Sequence, residues 1–230
     1  MPRSARLWLF DLDNTLHHAG IGIFPRINQQ MTDYIVQHLA LTPDEAQQLR
    51  VDYWQRYGAT LTGLVRHHAV DPRHFLHHTH PLPELLAHVH HDAGLPALIA
   101  RLPGRKVVFS NGPTDYVQAV CRHLRLLPHL QQVFGVDRVG FHPKPERRGY
   151  VRLLTQLGRP ASRCILVEDT LANLKGAKRL GLRTAWVTQY LKMADPIGVA
   201  KLPKALNRPA YVDVKVKSVR HLARRLHRLR

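Results

Sequence analysis

At 230 residues the chain is long enough to bury a sizeable core, as one large domain or as a core with a smaller insert. Hydrophobic content is an ordinary 44%, with no apolar run of membrane-spanning length, no signal-peptide pattern, and only two cysteines, Cys121 and Cys164, both inside apolar segments. These features exclude a disulfide framework and a bilayer-spanning chain, and the expectation is a cytoplasmic protein with no membrane partner. The formal charge of +18 suits a nucleic acid or small anions. However, Arg and Lys are scattered along the whole chain and no segment interleaves them with aromatics, so a generally basic surface is expected rather than a nucleic-acid partner.

Leu7 to Phe10 is a short apolar run suited to a buried strand of a parallel sheet. It leads directly into Asp11-Leu12-Asp13-Asn14-Thr15. Side chains of an extended chain alternate faces, so Asp11 and Asp13 can point the same way at the strand's carboxyl end, where open α/β sheets bind ligands. Two carboxylates this close repel unless a cation lies between them or one holds a proton, and hard oxygen ligands beside a phosphate favour magnesium. The competing reading of the same stretch is an Asx-rich turn.

His17 to Gly22 reads as a glycine-bearing loop. Ile27, Met31, Ile35 and Leu39 then recur at helical spacing. Thr42-Pro43-Asp44-Glu45 is a helix start, with Thr42 as cap, Pro43 at the first position and Glu45 three residues on. That helix ends at Tyr57-Gly58; further helical pieces open near Leu61 and at Asp71-Pro72, and Pro81 and Pro83 mark a boundary. With no strand evident between Ala19 and Pro81, residues 19–91 are expected to form an all-helical cap, with 1–18 and 92–230 as an α/β core. Nine of the seventeen histidines fall between His67 and His91; without regular ligand spacing or accompanying cysteines they are expected to be solvated surface residues.

The core resumes near Leu95. Lys106 to Phe109 reads as a strand ending at Ser110-Asn111-Gly112, followed by a helix over Thr114 to Leu127. Val133 to Phe141 holds a short strand or turn before the rigid His142-Pro143-Lys144-Pro145 loop, and Glu146 to Leu157 is helical. Cys164 to Val167 is a strand ending at Glu168-Asp169; a helix follows to Leu180, closed by Gly181, and Thr184 to Val187 is another strand. This alternation implies a parallel sheet with right-handed crossovers. Ser218 to Arg230 is expected to be a basic amphipathic helix that docks Val219, Leu222, Leu226 and Leu229 on the core.

Four polar clusters thus follow apolar strands or precede helices in order: Asp11-Leu12-Asp13-Asn14-Thr15, Ser110-Asn111-Gly112, Lys144-Pro145 and Glu168-Asp169. Together they resemble the four motifs of the haloacid dehalogenase-like (HAD) phosphohydrolases. The resemblance implies a Rossmannoid parallel-sheet core with a helical cap inserted after the first strand. It also implies a phosphate-monoester substrate and a site in which Asp11 is the nucleophile, Asp13 the acid and base, and Lys144 the cation that offsets negative charge. Thr15, Ser110, Asn111 and Gly112 would bind the phosphate. Magnesium would be held by Asp11, Asp13 through its carbonyl, and Asp169, with Glu168 close by.

More narrowly, Tyr53 to Gly58, Gly63-Leu64-Val65 and His68, with Cys121 to Leu127, resemble the pyrimidine 5′-nucleotidase family of that superfamily. That resemblance implies hydrolysis of UMP and CMP, with Tyr57 and His68 as candidate contacts to the substrate. Two departures stand out: His17 where members often carry Tyr, and Ser110-Asn111-Gly112 in place of a Thr-Asn-Ala segment. The alternatives are a sugar-phosphate or phosphoglycolate phosphatase of the same mechanism, and a nucleic-acid-associated module that keeps only the fold. The oligomeric state is not legible in the sequence.

Overall fold

The computed structural model describes residues 6–90, 92–191 and 207–229. Six parallel strands form one sheet in the order β3-β2-β1-β4-β5-β6: β1 Leu7–Phe10, β2 Arg105–Phe109, β3 Gln132–Phe134, β4 Cys164–Glu168, β5 Arg183–Val187 and β6 Val214–Val216. β1 is central, with Leu9 opposite Val107 on one side and Leu166 on the other. Its four residues are buried on both faces, as expected of a strand covered by helices on either side. Trp8 and Phe10 join one apolar cluster and Leu7 and Leu9 a second, on the opposite face.

Among the described residues six helices lie between β1 and β2, and the first four are α1 Ile23–Leu39, α2 Pro43–Tyr57, α3 Thr60–His68 and α4 Pro72–Thr79. The expected capping box is present, since the Thr42 hydroxyl accepts from the Glu45 amide while the Glu45 carboxylate accepts from the Thr42 amide. Gly58 ends α2 in the left-handed region at φ 80°, a conformation that glycine adopts without a Cβ penalty. Tyr34, Ile35, Ala46, Leu61, Leu64, Phe75 and Leu76 give these helices a cluster of their own, joined by Val136 from the sheet side. Buried Arg50 ties them together by donating to Thr32 Oγ1 and Asn28 Oδ1, while its carbonyl accepts from Thr60. The first turns of α1 do not belong to that cluster: Ile23 and Ile27 pack with the sheet, as does Leu85 of α5, Leu82–Leu86. Most histidines of the His67–His91 run are exposed, with His80 the buried exception; His91 lies outside the described residues.

After α6 (Leu95–Arg101) and β2 comes α7, Thr114–His123, which stops short of the expected Leu127 because Arg125 turns left-handed at φ 55°. α8 (Arg147–Leu157) and α9 (Leu171–Arg179) cover the other face of the sheet. β6 was not anticipated, since Val214-Lys215-Val216 is too short to show a period. The C-terminal segment differs from the expected α-helix: Val219–His221 and Ala223–Leu229 are 3₁₀ turns. Val219, Leu222, Leu226 and Leu229 fall in two pairs spaced by three residues, which matches a three-residue turn. They still pack on the core as expected, while Arg230 lies outside the described residues. Among the described residues no helix is long and apolar enough to cross a membrane.

Asp213, just before β6, ties the sheet edge together. It accepts from Lys178 Nζ at 2.6 and 2.8 Å and from the Thr184 amide at 2.8 Å. Burial alone would raise its carboxyl, but the bonds from Lys178 and Thr184 hold it below the ordinary value. A depressed folded-state value contributes stability that is present above the unfolded value and lost as pH falls through the folded one. Asp213→Ala should therefore cost about 1.5–3 kcal/mol at neutral pH. The gap to the wild type in urea melts should shrink as pH falls below about 4. A constant gap from pH 7 to pH 3 would show that the charge is not what stabilises this edge.

Candidate active site

The strand ends gather residues that are far apart in sequence. Asp11 continues β1, its amide donating to the Val167 carbonyl at 2.9 Å. The loop after β2 brings in Ser110, and the end of β4 brings in Glu168 and Asp169. Lys144 arrives from the loop before α8 and is almost wholly buried. Its Nζ donates to Asp11 Oδ1 at 2.6 Å, to Glu168 Oε2 at 2.8 Å and to the Phe109 carbonyl at 2.9 Å, using all three of its hydrogens. Asn111 holds the lysine's backbone in place: the Lys144 amide donates to Asn111 Oδ1 at 2.8 Å and Asn111 Nδ2 donates to the Lys144 carbonyl at 3.0 Å. The Asn111 side chain thus positions Lys144, a role that the sequence did not reveal.

Asp11, Glu168 and Asp169 offer carboxylate oxygens within 4.8 Å of one another, the one such group of acidic, histidine or cysteine ligands among the described residues. One lysine cannot balance three carboxylates. Asp11 is pushed up to about 7, first by burial and then by the charge of Glu168, against the pull of Lys144. Asp169 is pushed well above its ordinary value by burial and by Glu168 and Asp11. Burial also acts to raise Glu168, but Lys144 and the bonds from Asp169 and the Thr170 amide hold its carboxyl low. Burial opposes the charge of Lys144 as well, and its two carboxylate partners more than offset this, so the ammonium is held above its usual value. A dense set of hard oxygen donors with uncompensated negative charge fits a divalent cation such as magnesium.

The carboxylate of Asp13 stands outside that group. Its Oδ1 accepts from the Tyr116 hydroxyl at 2.5 Å and pairs with His17 Nε2 at 3.0 Å, while Oδ2 accepts from Ser110 Oγ at 3.3 Å. Burial alone would raise this carboxyl, but the bonds from His17 and Tyr116 bring it below the ordinary value. Burial and the Asp13 charge push the Tyr116 hydroxyl well up, so it remains a donor. His80 lies edge-on to Tyr116 with ring centres 5.3 Å apart, and burial lowers it to about 4, leaving it neutral at neutral pH. The sequence pointed to neither Tyr116 nor His80. His17 was noted only as a departure from Tyr, and it faces the Asp13 carboxylate.

Gly112 donates its amide to Ser110 Oγ at 3.0 Å. Thr15 is buried, with a hydroxyl that has no protein partner among the described residues. Tyr57 and His68, the two expected substrate contacts of the helical segment, do not pair with each other. Tyr57 pairs with His67 at 2.6 Å and is flanked by Arg56 and Arg66, while His68 pairs with Tyr53 at 2.8 Å. Tyr57 is nevertheless next to Gly58, where a Cβ would stand 2.8 Å from Pro145 of the lysine loop.

A parallel sheet whose carboxyl ends collect a buried lysine and four acidic side chains defines an α/β enzyme built for carboxylate chemistry. The haloacid dehalogenase-like hydrolase family matches residues 5–181, and the chain belongs to that family. Among solved structures it is similar to a HAD phosphatase from Thermococcus onnurineus, at 17% identity and TM-score 0.63 over 96% of this chain and 97% of that one. The HAD-hydrolase YfnB of Bacillus subtilis, solved bound to magnesium, gives 17% identity and TM-score 0.61 over 97% and 99% of the two chains. The L-2-haloacid dehalogenase of Xanthobacter autotrophicus gives 19% and 0.60 over 97% and 98%. At these identities the three establish a shared fold. Phosphate metabolism protein 8 of Saccharomyces cerevisiae is 31% identical over 71 residues, a match spanning 30% of this chain and 22% of that protein.

Proposed function

We propose that this hydrolase is a magnesium-dependent phosphatase of small phosphate monoesters, with pyrimidine nucleoside 5′-monophosphates favoured. The observation that carries the reading is the pair of separately held carboxylates, Asp11 against Lys144 and Asp13 against Tyr116 and His17. A halide leaves without a proton, whereas an alkoxide does not, so a second carboxylate positioned beside the first favours an oxygen leaving group over dehalogenation.

In this scheme an oxygen of Asp11 attacks phosphorus and forms an aspartyl-phosphate as the bond to the ester oxygen breaks. Asp13 gives that oxygen its proton, so the alcohol leaves neutral. The phosphate's charge raises the Asp13 carboxyl enough to carry this proton. Water then attacks phosphorus, Asp13 takes its proton, and the bond to Asp11 breaks, returning the free carboxylate and inorganic phosphate. Ser110, whose one hydroxyl hydrogen is released from Asp13 Oδ2 once that oxygen carries the proton, and nearby amides donate to phosphate oxygens, with Thr15 beside them, and Lys144 offsets charge on Asp11. Magnesium, held by Asp11, Glu168 and Asp169 and by the Asp13 carbonyl, would neutralise the charge that separates nucleophile from phosphate.

Residues 19–91 are read as a cap over the 1–18 and 92–230 core. Support comes from Gly58 against Pro145 and from Thr62 Oγ1 donating to Glu146 Oε1 at 3.3 Å, which seat the α2–α3 turn beside the lysine loop. The cap is where base and sugar would be read, with Tyr57 and His68 as contacts. A panel of phosphorylated metabolites should return magnesium-dependent turnover that EDTA removes, with higher kcat/KM for UMP and CMP than for AMP and GMP. Equal rates on all four, or a preference for a sugar phosphate, would remove the nucleotide assignment, and full activity in chelator-treated enzyme would remove the metal.

A further inference from the structure

Resting on the phosphatase reading, we propose that Tyr116 and His17 are positioning residues that pin Oδ1 of Asp13, leaving Oδ2 as the oxygen that carries the proton. Oδ1 takes both strong bonds, at 2.5 Å from Tyr116 and 3.0 Å from His17, whereas Oδ2 has only the 3.3 Å bond from Ser110, the residue placed against the phosphate. Oδ1 is thereby filled on the protein side and Oδ2 is turned toward the reacting group.

The arrangement serves both protonation states. A carbonyl-type oxygen has two lone pairs and can accept both bonds while Oδ2 bears hydrogen; a carboxylate accepts them equally well. The brace therefore does not have to rearrange when Asp13 passes its proton to the leaving oxygen or recovers one from water. Donation through His17 Nε2 is assigned from its acceptor, since a carboxylate oxygen supplies no hydrogen. That tautomer leaves Nδ1 as a buried acceptor with no protein partner among the described residues, an arrangement that makes sense if the ring is kept for its other nitrogen.

The surroundings hold Tyr116 as a brace rather than as a passive core ring. Its helix is fixed at the first turn, where Asp137 accepts from the Thr114 amide at 2.7 Å and from its hydroxyl at 2.9 Å. A Cβ on Gly112 would stand 2.7 Å from Tyr116 Cδ1, so the glycine after Ser110-Asn111 lets the ring pass. His80 packs edge-on against the same ring.

Tyr116→Phe deletes one hydroxyl and keeps the ring. The readout is the ratio of kcat/KM on an alkyl phosphate monoester to kcat/KM on p-nitrophenyl phosphate, whose leaving group departs without a proton; kcat/KM reports the first step and not the hydrolysis of the aspartyl-phosphate that both substrates share. A mispositioned acid should lower that ratio by ~10-fold or more, a part of the usual worth of general acid catalysis. His17→Leu removes the other donor and should move the ratio the same way. In a crystal structure of either variant the Asp13 carboxylate should rotate from its wild-type position. Equal losses on both substrates, or an unmoved Asp13 carboxylate, would overturn the brace. A wild type that turns over no phosphate monoester would overturn the phosphatase reading instead, and the carboxylate position in the variant structures would then decide the brace by itself.

Discussion

Asp11→Asn should abolish turnover, by about 10⁴-fold or more in kcat, the scale seen when a nucleophile is removed from a concerted site. Asparagine has nearly the shape of aspartate, and its amide oxygen still accepts from Lys144. As a neutral group it cannot form the aspartyl-phosphate. The effect on stability should run the other way. Asp11 is buried beside Glu168 and Asp169, so its charge is unfavourable in the metal-free fold, and Lys144 keeps Glu168 as a partner when that charge is gone. The variant should melt at or above the wild type in EDTA, which is the expected signature of a site whose charges serve chemistry rather than folding. A folded variant with substantial residual activity would remove Asp11 from the nucleophile role.

The parts of this site that were legible in the sequence are those written next to a strand. Leu7–Phe10, Lys106–Phe109 and Cys164–Val167 announce themselves as apolar runs, and the polar residue that ends each run must lie at the same rim of a parallel sheet. That rule places Asp11, Ser110 and Glu168 without any coordinates. It does not reach Tyr116, which sits in the first turn of a helix and meets Asp13 across 103 residues of sequence. It also does not reach His80, which lies among histidines that face solvent and is itself buried, its ring edge-on to Tyr116. Asn111 shows a subtler gap. Its position at the strand end was legible, but its side chain turns away to bond both backbone groups of Lys144, and only the fold brings the two loops together. The edge of the sheet was missed for a different reason. Val214-Lys215-Val216 carries too few residues for a period, and its pairing with β5 supplies the information that its sequence lacks.

Lys144→Met is the second variant expected to have a large effect, and it separates the two roles of this residue. The side chain keeps its length and loses its charge. Removing one preorganised donor from a site of developing negative charge should lower kcat by about 10²–10³-fold. The cost to the fold should also be large. Lys144 bridges two buried carboxylates and a backbone carbonyl, and taking one partner from a buried ion pair destabilises by about 3–5 kcal/mol. The lost charge then becomes measurable through a metal. With no lysine, the group of Asp11, Glu168 and Asp169 carries more uncompensated charge, so a divalent cation that binds only the folded state should raise the melting midpoint of the variant more than that of the wild type. Thermal melts of both proteins with and without magnesium test this directly. An equal rise in both, together with kcat within about tenfold of the wild type, would mean that Lys144 neither balances the carboxylates nor stabilises the reaction.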